Sequence, residues 1–250
     1  MQTFTKYNDT NFDDALIKES DGLKLLAVHL KDNTHLNIPK IRSVNKKELE
    51  TELIESFPRT KELSSKLGKG LATLHQKKFE DFGLEYDNYI GLNPQKNILS
   101  KNWGEFFFEY RLSYQVSLIA DKATKRRFET VLEAFKSKIV EFLNDTCEHA
   151  SLVHGDLWNG NVLYSDSGVY LIDPAISFAD REVDMAMSEM FGGFEDEFYD
   201  SYKELYPLNS EYPKKRIVFN LYHYLNHYNL FGSGYIFDCE RGFEFIECKL

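Results

Sequence analysis

His154-Gly155-Asp156-Leu157-Trp158-Asn159-Gly160-Asn161, followed shortly by Leu171-Ile172-Asp173-Pro174-Ala175, is the stretch on which the reading of this chain turns. A loop of the form His-x-Asp-x-x-x-x-Asn with a second aspartate downstream is the order in which phosphoryl-transfer sites place a base and two magnesium ligands. Such chemistry needs a hydroxyl aligned by one carboxylate and a metal-clamped phosphate held opposite it. The hard oxygens of an Asn and an Asp suit magnesium, which keeps waters and takes further ligands from phosphate. Asn161-Val162-Leu163-Tyr164 and Val169-Tyr170-Leu171-Ile172 are β-prone runs flanking the turn Ser165-Asp166-Ser167-Gly168, so a hairpin is expected to fold Asp173 back beside Asn161. The bland alternative has both aspartates capping turns. A lone turn aspartate usually does that, but the register with His154 and Gly155 favours the catalytic reading.

The bulk properties bound the rest. A chain of 250 residues with 42 % hydrophobic and 15 % aromatic content can bury one large domain or two unequal lobes. No apolar run reaches membrane-spanning length, and no charged-then-apolar leader opens the chain; the expectation is a soluble cytoplasmic protein. Cys147, Cys239 and Cys248 are scattered and read as reduced thiols. The formal net charge of −10 argues against a nucleic-acid partner, which a basic stripe would have to meet.

Along the chain, Thr3-Phe4-Thr5 reads as a strand entering Lys6, and residues 12–26 as a helix. Ile38-Pro39-Lys40-Ile41 and Glu52-Leu53-Ile54-Glu55 read as small-lobe strands, with Glu55-Ser56-Phe57 leading out of the lobe. Leu63, Leu67, Leu71 and Leu74 stripe a helix over 60–77, with His75 at its end in a capping or dipole role. Helical patterns follow over 103–120, 125–143, 182–190, 196–205 and 214–230. The fold class expected is α+β and bilobal, with a small lobe over 1–57 and a mostly helical large lobe over 58–250. A strand lysine and a following helix glutamate form the pair that holds α- and β-phosphates in kinases, and Lys6 with Glu19 fits that pattern. Taken singly, such residues are usually just solvated. His223 and His227 stand one helical turn apart, but no third ligand accompanies them, so zinc is not expected. Arg181 is read as a structural ion-pair partner ahead of a phosphate ligand.

These residues together resemble the fructosamine/ketosamine-3-kinase family, itself similar to aminoglycoside and choline phosphotransferases. The resemblance covers about Lys6 to Tyr235. It rests on Asn88-Tyr89-Ile90-Gly91 with Pro94-Gln95, Trp103 with Phe106-Phe107, Arg111-Leu112, the His154–Asn161 loop with Trp158, Arg181-Glu182 with Asp184-Met185-Ala186, Glu189 to Phe194, and Leu221 to Gly232. It implies a protein-kinase-like fold and transfer of the ATP γ-phosphate to the 3-hydroxyl of a ketosamine, a sugar joined to an amine by glycation. Carried over by position, Asp156 would be the base, and Asn161 and Asp173 would hold Mg2+. Lys6, steadied by Glu19, would hold the phosphates. Glu55, Ser56 and Phe57 would meet adenine, and Trp158, Asp184, His223 and His227 would form the sugar-selecting wall.

One departure from the family pattern stands out: no Gly-rich hairpin precedes Lys6. The expectations drawn from it are a truncated small lobe, weakened ATP handling, and an exposed sheet edge that invites a homodimer. Two rival readings follow. One is a phosphotransferase for another amine-bearing alcohol, of aminoglycoside or choline type. The other is a catalytically impaired nucleotide-binding protein.

Overall fold

The computed structural model describes residues 2–250. Its first sheet is antiparallel in the order β1 (Thr3–Tyr7), β4 (Glu48–Glu52), β3 (Ile41–Val44), with Lys6 opposite Leu49. The helix α1 (Ala15–His29) lies against it, and Leu16, Leu23 and Leu49 form its small core. The strands differ from the expected ones. β4 is Glu-Leu-Glu-Thr-Glu, in which Leu49 and Thr51 turn inward while the glutamates stay on the outer face. That period-2 alternation is a strand signal, masked by its charge. The chain accordingly leaves the sheet at Glu52, and no regular structure covers 53–60. Pro39, which lacks a ladder donor, precedes β3 instead of sitting within it.

A second sheet carries the hairpin that the sequence foretold: β10 (Val162–Ser165) pairs with β11 (Gly168–Leu171), and Val162 faces Leu171. The short β2 (Leu36–Asn37) adds to β11 in parallel, so a segment from the N-terminal region is stitched directly to the hairpin. The helix α2 (Lys61–His75) starts where Thr60 accepts a bond from the Leu63 amide at 3.2 Å, a side-chain N-cap. Its Leu67, Leu71 and Leu74 are buried against β11 and α7 (Asp196–Leu205). Gly68 permits that approach, because a Cβ there would overlap the Phe198 carbonyl.

The remaining elements wrap the hairpin's other side. Among them are β5 (Phe82–Gly83), the hairpin β6 (Asn88–Ile90) and β7 (Asn93–Gln95), and β8 (Leu99–Ser100). The helical run α3 (Trp103–Phe107) and α4 (Tyr114–Ser117) is joined by a π-helical turn over Phe108–Ser113. The long α5 (Lys122–Thr146) follows, and then β9 (Ser151–Val153) and β12 (Ser177–Ala179) join β5 and β8 in a four-stranded sheet. The aromatic cluster of Trp103, Phe106 and Phe107 is core, packed with Phe219 and Leu225. The helices α6 (Glu182–Ser188), α8 (Tyr212–Phe231) and α9 (Ile236–Lys249) complete the larger part, α9 being a helix that the sequence reading had not marked. The α+β architecture is thus as expected. No helix among the described residues is long and apolar enough to cross a membrane.

Candidate active site

The chemistry-bearing residues converge because four segments meet at one cleft. β1 carries Lys6 and α1 carries Glu19, and the Lys6 ammonium lies 2.8 Å from the Glu19 carboxylate. The same ammonium lies 3.1 Å from Asp173 Oδ1. Gly22, one turn after Glu19, faces Pro174 and Ile176, and a Cβ there would lie 3.4 Å from each, so α1 runs close to the segment that holds Asp173. Burial pulls the Lys6 ammonium down, but Glu19 and Asp173 outweigh it and hold the pKa above its ordinary value. Glu19 is pushed up to about 7, chiefly by burial and secondly against the pull of Lys6. Two carboxylates competing for one ammonium in a half-dry site explain both directions.

β9 delivers the catalytic loop. Gly155 has φ +81°, and a Cβ there would overlap the Ala175 carbonyl, so the sharp turn requires glycine. His154 is buried: its Nδ1 accepts from the Asp156 amide at 3.3 Å, which leaves Nε2–H to donate to the Ile172 carbonyl at 2.9 Å. The hairpin returns as read, with the Ile172 amide bonded to the Asn161 carbonyl at 3.1 Å and the Ala175 amide to His154 O at 2.9 Å. Asn161 Nδ2 donates to the Asp156 carbonyl at 2.8 Å and to Asp156 Oδ2 at 3.1 Å. With the amide nitrogen so engaged, Asn161 Oδ1 is the atom left for a cation. Asp173 adopts φ +53°, uncommon for a non-glycine residue. Burial raises Asp156 to about 7, against the Asn161 hydrogen bond and with help from Asp173 and Asp184. Asp156, Asn161 and Asp173 therefore form one oxygen-rich corner, with Lys6 across it.

The cleft beside this corner has a volume of about 300 Å³. Its apolar walls are Leu23, Leu49, Leu53, Leu163 and Ile172, and its polar end is Lys6, Glu19 and Asp173. The expected hinge follows directly on this lining. Glu52, Leu53 and Ile54 line the cleft, whereas Glu55, Ser56 and Phe57 are exposed outside its lining. The cause is the early end of β4. Phe57 instead donates its amide to the Tyr164 carbonyl at 2.7 Å.

The expected sugar wall also divides. Trp158 is 37 % exposed and packs over Gly160. Asp184 is fully buried, where it accepts from the His154 amide at 2.7 Å and the Gly155 amide at 2.8 Å, and pairs with His75 Nε2 at 3.2 Å. Burial pushes Asp184 up, but the bond from His75 and the positive fields around it win and hold it below the usual carboxylate range. There it anchors the catalytic loop. His223 is likewise 0 % exposed, with burial depressing its pKa to about 3, so it too stands behind the wall. His227 is half-buried. His75 also differs from expectation, being held between Asp184 and the Tyr202 hydroxyl (2.9 Å) rather than capping α2. Arg181 has the structural role expected, bonding Tyr202 and the Pro207 carbonyl.

Sequence reasoning missed a set of bonds that ties the catalytic loop to the segments around Arg59 and Glu195. Arg59 donates to Asn159 Oδ1 at 2.7 Å and to Glu195 at 2.9 Å, and Asn159 in turn donates to the Gly193 carbonyl. It also missed Phe191, whose ring stands 6.2 Å from Trp158 and 5.1 Å from His227. The only local signal was the glycine pair Gly192-Gly193.

Known proteins similar to this chain point to one family. A family model described as fructosamine kinase matches residues 1–246. A probable ketoamine kinase of Vibrio parahaemolyticus is 37 % identical over 239 residues, covering 93 % of this chain and 81 % of the relative. The ketosamine-3-kinase of Mus musculus is 34 % identical over 194 residues, covering 75 % of this chain and 63 % of the relative. Choline kinase LicA from Streptococcus pneumoniae superposes with a TM-score of 0.65 at 18 % identity, over 98 % of this chain and 85 % of that one, and so shares the fold.

Proposed function

The chain belongs to the fructosamine kinase family, and from that premise we propose that it transfers the γ-phosphate of ATP to the 3-hydroxyl of a ketosamine. The observation that carries the reading is the single cleft in which Lys6, Glu19 and Asp173 meet the Asp156–Asn161 loop. The adenine occupies the apolar wall of Leu23, Leu49, Leu53, Leu163 and Ile172, beside the backbone of Glu52–Ile54. Lys6 neutralises the α- and β-phosphates and is itself oriented by Glu19. Asn161 Oδ1 and Asp173 would hold magnesium, which would supply neutralisation of charge on the transferring group.

Asp156 takes the sugar hydroxyl's hydrogen bond and receives its proton as the new O–P bond forms and the bond to the ADP oxygen breaks. A carboxylate raised to about 7 is matched to that task near neutrality. Its orientation depends on Asn161, and the loop's backbone depends on Asp184. Trp158 and His227 face the acceptor side.

The curated relative named for ketoamines favours this acceptor class over choline or aminoglycosides, for which only the shared fold speaks. The test is a coupled ADP-release assay with fructoselysine, ribuloselysine, choline and kanamycin, with the product's phosphate mapped by NMR. Turnover on a ketosamine with phosphate on O3 is the expected result. Turnover on choline or kanamycin alone would refute the assignment, and a well-folded sample with no ATP–magnesium thermal shift would favour an impaired nucleotide binder.

A further inference from the structure

Asp173 holds an unfavourable backbone, φ +53° in a non-glycine residue, and such a conformation persists only where its flanks are fixed. The preceding flank is tied to the catalytic loop: the Ile172 amide bonds the Asn161 carbonyl, and the Ile172 carbonyl accepts from His154 Nε2. The following flank is tied to the same loop by the Ala175 amide, 2.9 Å from the His154 carbonyl. Its carbonyls are held from outside that loop, by the hairpin of β6 and β7. Gln95 Nε2 donates to the Ala175 carbonyl at 3.1 Å, and Asn88 Nδ2 donates to the Ile176 carbonyl at 2.9 Å. Ala175 is also where the two loops abut, since a Cβ on Gly155 would overlap its carbonyl oxygen.

Asn88 and Gln95 stand directly opposite each other in the antiparallel register, so both side chains leave from one face of the hairpin. Both are buried, and the direction of their amides is fixed from one end. Arg111, itself buried, can only donate, and it does so to Asn97 Oδ1 at 2.9 Å. Asn97 Nδ2 therefore faces Asn88 Oδ1 at 2.8 Å, which also accepts from Gln95 Nε2 at 2.9 Å. That leaves Asn88 Nδ2 for the Ile176 carbonyl and Gln95 Oε1 for the Tyr222 hydroxyl, at 2.7 Å. Both ends of the Gln95 carboxamide are thus engaged, and its second amide proton has the Ala175 carbonyl as acceptor. Period-two alternation turns Tyr89 to the other face. There its hydroxyl bonds Asp14 at the start of α1, the helix that carries Glu19.

We propose that Gln95 is a positioning residue of the phosphoryl-transfer site: through the Ala175 carbonyl it sets the Asp173 segment against the loop of Asp156. Tyr222 and Asn88 hold its carboxamide in the orientation that does so. The inference rests on the reading of Asp173 as a magnesium ligand and deepens it. Without the Gln95 bond the Ala175 carbonyl is left unpaired in a buried residue, and the segment gains by turning it elsewhere. A rotation at Ala175 passes to Asp173 through Pro174, whose ring fixes its own φ and leaves little backbone freedom to absorb it. The base, bonded by Asn161, would stay in place while the metal-side carboxylate shifts.

Calorimetric titration of the whole chain with ADP, in excess magnesium and again in EDTA, gives two Kd values whose ratio is the magnesium enhancement of binding. That ratio is read on folded protein and does not respond to a loss of stability alone. Gln95→Met keeps the side chain's length and removes both polar ends. It should lower the enhancement about tenfold, the worth of one buried hydrogen bond, and leave the Kd in EDTA within about twofold. Tyr222→Phe deletes a single hydroxyl and should lower the enhancement about threefold. Asn93→Ala cuts a bond from the same hairpin to Asn226 and should keep the wild-type ratio. A Gln95→Met protein with full enhancement overturns the assignment, as does an Asn93→Ala protein that loses as much. Should Gln95→Met not fold, Tyr222→Phe decides, and an unchanged ratio there overturns it too. A wild-type protein whose ADP affinity ignores magnesium overturns the metal reading of Asp173 together with this one.

Discussion

Replacing Asp156 with asparagine should stabilise the protein at alkaline pH while destroying its activity. In the folded state the Asp156 carboxyl has its pKa raised from 3.8 to about 7, with burial as the largest cause. The sign follows from linkage: the raised group costs nothing below about pH 4, where it is protonated in both states, and its stability contribution is lost progressively as pH rises toward 7. At about 1.4 kcal/mol per tenfold, that displacement amounts to ~4 kcal/mol above pH 7. Asp156 keeps partial solvent exposure, and solvent screening roughly halves the figure, to ~2 kcal/mol. The asparagine amide can still accept from Asn161 Nδ2 but carries no charge to desolvate. For a chain of this size ~2 kcal/mol is roughly 4–8 °C in Tm. Differential scanning fluorimetry of both proteins at pH 4.5 and pH 8.5 measures it, and other titrating groups such as Glu19 cancel in the difference. Coupled-assay turnover should fall by about 10²–10⁴. If the variant gains no stability at pH 8.5 relative to pH 4.5, burial does not raise this carboxyl and the catalytic pKa argument fails. If it turns over normally, Asp156 is not the base.

The neighbouring residues should fail in distinguishable ways. Asp173→Ala should abolish magnesium-dependent nucleotide binding in calorimetry; unchanged magnesium dependence would remove it from the metal site. Glu19→Gln should raise KM for ATP by about tenfold with a smaller change in kcat, since it acts through Lys6; an effect on the acceptor KM alone would contradict that role. Asp184→Ala should cost about 3–5 kcal/mol in urea unfolding, because it strands the buried His154 and Gly155 amides and His75. A stable variant with impaired acceptor KM would instead return Asp184 to the sugar wall.

The phosphoryl-transfer loop was legible because its residues are close in sequence and its turn chemistry is local. Gly155, the Ser165–Gly168 turn and the alternation on either side dictate a loop and hairpin whatever surrounds them. The helices read from leucine stripes were equally local, and α7 was placed to the residue. β4 was not, because its inward pair Leu49 and Thr51 sits among glutamates.

What the sequence determined alone is the reacting group set and the order in which the chain presents it: a lysine strand, a glutamate helix, a base, an amide and a second carboxylate. What only the tertiary structure decided is which polar residues are tools and which are supports. Asp184 and His223 look like site residues in sequence, yet both are sealed from solvent. His75 and Asp184 are 109 positions apart and meet only because α2 and α6 pack across the catalytic loop. Likewise the rings of Phe191 and Tyr235 meet His227 only in the folded chain. Spacing encodes local backbone geometry, whereas burial is a property of what packs on top, and no single segment carries that information.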